Sequence, residues 1–395
     1  MSQDNRIDVL FYVQHLLGIG HQRRAATLTR AMERAGLSVA FVSGGMDVPG
    51  LDTGKARFFQ LDPVRADGIY FKELLDKNDQ PIDKAFKQRR SEQLLKIFHD
   101  TRPRLVLLEM FPFGRRQMRF ELVPLLEAAK NCENPPKVIS SVRDILVKAP
   151  KQERIIEMLN WVEKHFDNVL IHGDPKLIPF DKTFHPAREI SQKILYSGYV
   201  VDEKVDEAPH PTDGEDEVIV STGGGAVSER LVKAAVSARK LSPLKDKVWR
   251  ILIGHSLPEY IFAQYAALAE DRLIIQRSRP DFTSLLPNCA LSISQGGYNT
   301  VMEVLRAGCP RVIVPYSGGL ETEQTLRAKL LAESNALAYV DEEDLTGQIL
   351  SDAIDQTISI EQRPPSSLDT NGADQTAAIL KAILNGNDLS EFQTA

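Results

Sequence analysis

The sequence predicts an α/β protein built from two parallel-sheet domains. Its 395 residues exceed the size at which a single hydrophobic core stops growing, so the chain should divide. Short apolar runs alternate with segments of helical period along the whole chain, which is the pattern of parallel strands connected by helices. The alternation is interrupted at 200–216, an acidic, proline-containing stretch without apolar period. We therefore expect two Rossmann-like domains, over 1–199 and 217–385, joined by this linker.

The predicted elements follow one another in the same order in both domains. In the N-terminal domain a strand over 7–13 precedes a helix over 22–35, and Gly36 stands where a helix C-cap is expected. Further strands are predicted over 38–42, 105–108, 137–141 and 168–171. In the C-terminal domain strands are predicted over 217–221, 248–253, 273–276, 290–293 and 311–314, with a last helix over 376–384.

Composition and charge disfavour several classes of protein. The net charge of −6 argues against a general nucleic-acid binder, whose phosphate partner requires a basic face. No run of about twenty apolar residues is present that could span a bilayer. The three cysteines, Cys132, Cys289 and Cys309, indicate neither a disulfide framework nor a zinc site. We expect a cytoplasmic protein without a bound metal.

The motif that carries most chemistry is SQGGYNTVME at 294–303. Its two glycines allow the backbone to approach a ligand closely. Asn299 or Thr300 can cap the following helix, whose first N–H groups and positive dipole end suit a diphosphate. Glu303 lies one helical turn after Asn299 on the same face, where a carboxylate can accept both hydroxyls of a ribose. A plain strand–turn–helix with a surface glutamate is the alternative.

Three further features of the C-terminal domain point to the same sheet edge. An acidic–amide pair, Glu323 and Gln324, follows the strand at 311–314, at the edge where open α/β sheets bind ligands. Arg277 follows the strand at 273–276 and is a candidate contact to a nucleotide. A glycine-rich turn without the Gly-Lys-Ser/Thr of a P-loop follows the first strand of this domain, at Gly223, Gly224 and Gly225.

The run from 295 to 324 resembles the donor-binding region of GT-B glycosyltransferases, notably the MurG-like and UDP-glucuronosyltransferase-like families. The resemblance implies the GT-B architecture, in which two Rossmann-like domains face a central cleft. It also implies that Glu303 binds the ribose, that 296–300 binds the diphosphate, and that Glu323 and Gln324 bind the sugar. Where many relatives have histidine this chain has Gln295, which can replace only the hydrogen bond. The donor site expected in full comprises Gly223, Gly224, Gly225, Arg277, Gln295, Gly296, Gly297, Asn299, Thr300, Glu303, Glu323 and Gln324.

The first loop of the N-terminal domain supplies candidates for catalysis. Its sequence Gly18-Ile-Gly20-His21 resembles MurG-like transferases and the nucleotide-sugar hydrolases related to them. An imidazole at a helix N-terminus has its pKa lowered and stays neutral, so His21 is a candidate general base. His15 is the rival candidate. Glu109, which follows the strand at 105–108, can orient His21 or act as the base itself.

Basic residues near these candidates suggest where an acceptor binds. Gly20, Arg115, Arg116 and Arg143 are the expected acceptor contacts, because guanidinium groups pair well with phosphate or carboxylate. The basic segment 84–104 is either an ordinary solvated helix face or a shallow membrane contact. The sequence leaves open whether the acceptor is anionic or lipid-linked.

Three functions fit these patterns. The first is an inverting, metal-independent glycosyltransferase of the hexosyltransferase type, using a UDP-sugar as co-substrate and no cofactor. The second is a nucleotide-sugar hydrolase or epimerase on the same scaffold. The third is a non-enzymatic sensor of sugar nucleotides. None involves nucleic acid, and membrane contact would be peripheral at most.

Overall fold

The structure, a computed structural model, describes residues 6–16, 19–67, 73–146, 151–201, 213–223, 229–318, 323–359 and 369–393. These residues form two compact units. The first unit consists of the described residues up to 201 together with 369–393, and the second consists of those from 213 to 359.

Strands and helices alternate along the described residues. The strands are β1 (Val9–Val13), β2 (Val39–Ser43), β3 (Arg57–Gln60), β4 (Arg65–Ala66), β5 (Leu74–Leu75), β6 (Leu105–Glu109), β7 (Lys137–Arg143), β8 (Asn168–His172), β9 (Ile194–Tyr196), β10 (Val218–Ser221), β11 (Trp249–Ile253), β12 (Leu273–Arg277), β13 (Leu291–Gln295), β14 (Arg311–Val314) and β15 (Ala338–Tyr339). The helices are α1 (Gly20–Arg34), α2 (Lys84–Thr101), α3 (Arg119–Asn131), α4 (Gln152–His165), α5 (Phe180–Thr183), α6 (Glu229–Leu241), α7 (Glu259–Ala266), α8 (Tyr298–Ala307), α9 (Glu323–Glu333), α10 (Gly347–Ile358) and α11 (Gly372–Asn385). No helix in the described ranges is both long enough and apolar enough to cross a membrane.

Each unit is built on a parallel sheet. The first sheet has the order β3-β2-β1-β6-β7-β8-β9, and the second has the order β12-β11-β10-β13-β14-β15. All neighbouring strands within both sheets are parallel, and only the small β4–β5 pair is antiparallel. In both sheets the strand order reverses beside the first strand, between β1 and β6 and between β10 and β13. Two Rossmann-like units are therefore confirmed.

Burial on both sheet faces explains why the strands could be recognised from sequence. All five residues of β1 are buried, because alternate side chains enter two cores on opposite faces of the sheet. Within the two parallel sheets, the strands that sequence patterns did not predict are β3, β9 and β15. β3 is largely exposed at the sheet edge, and the other two have only three and two residues.

The expectation that the second domain extends to residue 385 is wrong for the last helix. α11 belongs to the first unit, where Ala377 and Leu380 are buried in the same core as Leu28 of α1. Arg34 pairs with Asp374 at 2.7 Å. The helix packs there because its apolar stripe completes the core on one face of the first sheet.

Candidate active site

The first candidate site lies where the strand order of the first sheet reverses. The loops that follow β1 and β6 run in opposite directions there, and ligands of open α/β sheets bind at such points. The loop after β1 leads into α1, which begins at Gly20 and carries His21 in its first turn. β6 ends at Glu109. The topology thus brings together two candidates that are 88 residues apart in sequence.

His21 is held between a carboxylate and a guanidinium. Its Nδ1 lies 2.5 Å from Oε1 of Glu109, and its Nε2 lies 3.2 Å from Nη2 of Arg143. Because arginine can only donate, Nε2 accepts this hydrogen bond, and Nδ1 carries the proton that is donated to Glu109. This tautomer leaves Nε2 as the atom that can take up a proton.

The surroundings keep the His21 imidazole neutral. Burial and the positive charge of Arg143 lower the pKa of His21 from 6.5 to about 3, against the opposing effect of Glu109. Its side chain is about one-fifth exposed, so a reactant can still reach it. The pKa of His21 is lowered, in the direction expected from the sequence. Burial and a neighbouring cation cause the lowering, however, and not a helix terminus.

Glu109 is a buried carboxylate surrounded by cations. Burial alone would raise its pKa, but His21 and Arg115 outweigh that effect and lower it. Arg24 donates to its Oε1 at 2.9 Å, and Arg115 lies 3.4 Å from its Oε2. Because Oε1 of Glu109 accepts from both His21 and Arg24, the geometry favours an orienting role for Glu109. Arg24 ends the Gly-x-Gly-His-x-x-Arg pattern that begins at Gly18, but the sequence assigned no role to it.

The loop after β6 has an unusual backbone. Met110 and Arg115, neither of them glycine, have φ angles of 65° and 56°. Such left-handed conformations cost free energy and concentrate at functional sites. Here they turn Arg115 back towards Glu109. Arg116, by contrast, lies 3.7 Å from Glu157 of α4 with a side chain that is 58% exposed, so the structure does not bring this expected acceptor contact to His21.

The charge of Glu109 also acts on two other histidines of this unit, His15 and His172. His15 is buried, and no described residue forms a hydrogen bond with its Nδ1. Burial and Arg115 lower its pKa. His172, which the sequence did not single out, is buried between the hydroxyls of Ser141 and Ser197 at 2.7 and 2.9 Å. Since both its ring nitrogens are engaged, His172 is a structural residue.

The second candidate site lies at the corresponding reversal of the second sheet. Gly223 follows β10 with a φ of 66°, and Gln295 is the last residue of β13. A side chain at Gly223 would come within 3.7 Å of Oε1 of Gln295, so the two loops are adjacent. Gly224 and Gly225 of the predicted site, like Gly18 of the first unit, lie outside the described residues.

Helix α8 begins one residue earlier than Asn299. Gly297 is its N-cap and forms no side-chain cap, so the expected cap by Asn299 or Thr300 is wrong. Because the glycine has no side chain to accept from the first turn, the N–H groups of that turn remain suited to an anion. Glu303 lies in the middle of α8, partly buried, one turn after the exposed Asn299.

Gly296 is constrained by its neighbours. A Cβ atom there would lie 2.9 Å from Cα of Pro315 and 3.2 Å from Oε1 of Gln324. The amide oxygen of Gln324 accepts a hydrogen bond from the backbone N–H of Tyr316 at 3.1 Å. The start of α9 is thereby fixed next to the Gly296 turn, as the sequence pattern predicted for this sheet edge.

Two of the expected donor contacts have structural partners. Glu323 pairs with the buried Arg327 at 2.7 Å, and the guanidinium of Arg327 lies 4.9 Å from the ring centre of Tyr298. Arg277 donates to the carbonyls of Gly254 and Leu257, both at 3.0 Å. Arg277 also pairs with Glu259 and stacks on Phe262, with 4.0 Å to the ring centre. The contacts of Arg277 therefore hold the loop after β11 in place. The sequence did not predict this structural role.

The described ranges contain no group of three or more His, Cys, Asp or Glu side chains placed to hold a metal ion.

The lowered pKa of His21 makes stability depend on pH. Between pH 6.5 and 3 the unfolded chain binds a proton at this position and the folded chain does not, so stability should fall as the pH falls. From pH 7 to pH 5 the contribution of His21 to the loss should be about 2 kcal/mol. Urea denaturation measures the free energy of unfolding at pH 7 and at pH 5. The difference between these two values should be smaller in His21→Ala than in wild type, by about this amount. The variant His185→Ala, which changes an exposed histidine, should keep the wild-type difference, and equal differences in all three proteins would contradict the assignment.

Comparisons with known proteins place this geometry in context. Residues 218–382 match the family model of the glycosyltransferase family 28 C-terminal domain. NDP-glycosyltransferase YjiC of Bacillus subtilis is 21% identical over 92% of this chain and 95% of its own length. The UDP-N-acetylglucosamine–N-acetylmuramyl-(pentapeptide) pyrophosphoryl-undecaprenol N-acetylglucosamine transferase of an Exiguobacterium species is 31% identical, but the match spans only 54% of either chain.

Solved structures share the fold. MurG of Acinetobacter baumannii superposes with a TM-score of 0.60 at 15% identity, over 95% of this chain and 99% of that one. The spinosyn rhamnosyltransferase SpnG, solved with thymidine diphosphate, has a TM-score of 0.56 at 18% identity, over 96% of both chains. At these identities the likeness concerns the fold, which is that of GT-B glycosyltransferases. These comparisons give no support to the hydrolase or epimerase alternative.

Proposed function

We propose that this chain, which has the GT-B fold and matches the glycosyltransferase family 28 C-terminal domain over residues 218–382, transfers a sugar from a nucleotide-sugar to an acceptor hydroxyl with inversion at the anomeric carbon. The observation that carries the proposal is the pairing of His21 with Glu109. An ionised, buried carboxylate fixes Nδ1–H and leaves Nε2 of a neutral imidazole as the proton acceptor. This is the arrangement required of a general base.

In this reaction the acceptor hydroxyl gives its proton to Nε2 of His21. The hydroxyl oxygen attacks the anomeric carbon, and the bond from that carbon to the diphosphate oxygen breaks. The nucleoside diphosphate leaves with the bonding electron pair, while Glu109 stabilises the imidazolium that forms. Because His21 is neutral above about pH 3, the base is ready for use across the physiological range.

The donor is proposed to bind at the edge of the second sheet, in the loops after β10 and β13. The first-turn N–H groups of α8 and the backbone at Gly296 would contact the diphosphate, and Glu303 the ribose hydroxyls. The helix dipole and these N–H groups would compensate the developing negative charge, so no metal ion is required. We propose UDP as the nucleotide, in line with the UDP-sugar in the name of the Exiguobacterium relative.

Product analysis tests this proposal. The protein should release a nucleoside diphosphate from one member of a panel of UDP-, TDP- and GDP-sugars only when an acceptor hydroxyl is supplied, and in the presence of a chelator. Proton NMR of the product should show the anomeric configuration opposite to that of the donor. Retention of configuration, or release of free sugar at the same rate without an acceptor, would contradict it.

A further inference from the structure

We propose that Arg143 gates the base: it occupies Nε2 of His21 until an anionic group on the acceptor draws the guanidinium away. This inference rests on the proposed transfer reaction and deepens it. It assigns the acceptor to a chemical class, hydroxyl compounds that carry a phosphate or carboxylate close to the reacting hydroxyl.

The proposed base has one atom that can accept a proton, Nε2 of His21, and this atom is already hydrogen-bonded. Nδ1 of His21 donates to Glu109, and Nε2 accepts from Nη2 of Arg143 at 3.2 Å. A guanidinium remains protonated and cannot accept the proton of a hydroxyl. While this hydrogen bond persists, Nε2 has no lone pair for an acceptor hydroxyl. Turnover therefore requires that Arg143 move.

The charges around His21 favour an anionic acceptor. Arg143 and Arg115 are the cations that act on His21, whereas Glu109 is the anion. Glu109 is in turn also bonded by Arg24. Arg24 and Arg115 thus contact the carboxylate of Glu109 directly, and Arg143 is linked to it through His21. An anionic group on the acceptor would attract Arg143 more strongly than a neutral imidazole does, because charge-assisted, bidentate hydrogen bonds are the stronger ones.

Two buried polar atoms next to this cluster have no hydrogen-bond partner within the part of the chain that the structure describes. Among the described residues nothing bonds Nε of Arg115 or Nδ1 of His15, and His15 is only 4% exposed. The charges of Arg115 and Glu109 both act on His15. Buried polar groups are normally satisfied, so those at this place indicate a polar ligand.

The gate can be tested without any turnover. Long-range proton–nitrogen NMR reports the state of each imidazole nitrogen, and the His21→Ala spectrum identifies the His21 signals. Millimolar inorganic phosphate should shift the Nε2 signal of wild-type His21 and raise its pKa. Arg143→Ala should raise that pKa without phosphate, because a nearby positive charge is removed, and phosphate should then shift Nε2 much less.

The matched control is Arg188→Ala, which removes an arginine of the same unit whose side chain is 80% exposed and pairs with Asp181. It should retain the wild-type response to phosphate. An unchanged Nε2 signal in wild type, or an equal response in Arg143→Ala, would overturn the gate. Neither result bears on donor binding or transfer, so failure of the gate is distinguishable from failure of the proposed function.

A kinetic measurement adds a second criterion. Glycerol and glycerol 3-phosphate form an acceptor pair that differs only in the anionic group. Wild type should have a higher kcat/KM with glycerol 3-phosphate than with glycerol. In Arg143→Ala the ratio of these two kcat/KM values should be at least about tenfold smaller. Arg143→Ala should also transfer faster to glycerol than wild type does, because its base is uncovered. If the variant is slower with both acceptors by the same factor, Arg143 only positions His21 and the gate is wrong.

Discussion

Replacing His21 with alanine should lower the turnover number at least about a hundredfold and leave donor affinity unchanged. The variant loses Nε2, the proposed proton acceptor, but retains the ion pairs of Glu109 with Arg24 and Arg115. The donor loops belong to the other unit and keep all their contacts. Steady-state kinetics with saturating donor, together with calorimetric titration of the nucleoside diphosphate, separates the two effects.

His185→Ala is the matched control, because it removes an exposed histidine from the same unit. It should keep wild-type turnover. If His21→Ala also turns over at the wild-type rate, His21 is not the base, and His15 becomes the next candidate. If His21→Ala instead loses donor affinity, the histidine contributes to binding rather than to proton transfer.

Truncating Glu121 to alanine should destabilise the first unit by about 3–5 kcal/mol. Glu121 of α3 is fully buried, with its Oε2 2.6 Å from Nε of Arg90 in α2. Tyr12 of β1 donates a short hydrogen bond to the same carboxylate. Removing the carboxylate leaves the Arg90 cation buried without its counter-ion, which is more costly than the loss of the contact itself.

Glu127→Ala provides the comparison, because Glu127 lies in the same helix but is 42% exposed and pairs with Lys164 at 3.2 Å. Exposed pairs contribute little, so this change should cost less than about 1 kcal/mol. Urea denaturation of both variants measures the difference. Similar losses would show that the buried network contributes no more than a surface pair.

The same network links stability to the site. Arg90 also donates to the backbone carbonyl of Gly44 at 2.8 Å and to the side chain of Gln14 at 2.7 Å. Gln14 directly follows β1 and Gly44 directly follows β2, so Arg90 fixes both loops at the edge of the first sheet. We infer that the buried ion pair holds the backbone next to His15 in place.

The sequence allowed the sheets to be predicted because their central strands are buried on both faces. A run such as β1 is apolar at every position but one tyrosine, and the turn that follows each strand carries glycine or polar residues. Helix boundaries were less accurate: α8 starts at Tyr298 with a glycine N-cap, where side-chain preference pointed to Asn299 or Thr300. The sequence of α11 could not predict the unit against which this helix packs, because an apolar stripe does not specify which core it completes.

Among the site residues, those next to strand ends were predictable and those that meet across the fold were not. His21 lies in the first turn of the helix after β1 and Glu109 ends β6, so topology alone places them at one edge. Arg24, however, pairs with Glu109, which only the tertiary structure brings near it. Arg327 pairs with Glu323 of the same helix, and only the tertiary structure buries this pair. Arg143 was predicted as an acceptor contact, but its hydrogen bond to Nε2 of His21 depends on side-chain placement that no spacing encodes.

The proposed donor site predicts that the second unit binds a nucleoside diphosphate through α8 and its Glu303. Thermal unfolding in the presence of UDP, TDP, GDP, ADP and CMP tests it most directly, with wild type, Glu303→Ala and the surface control Glu333→Ala. A ligand at 100 times its dissociation constant should stabilise by about 2.7 kcal/mol. UDP should stabilise wild type and Glu333→Ala and leave Glu303→Ala unshifted; no shift with any nucleotide, or equal shifts in all three proteins, would contradict the donor site.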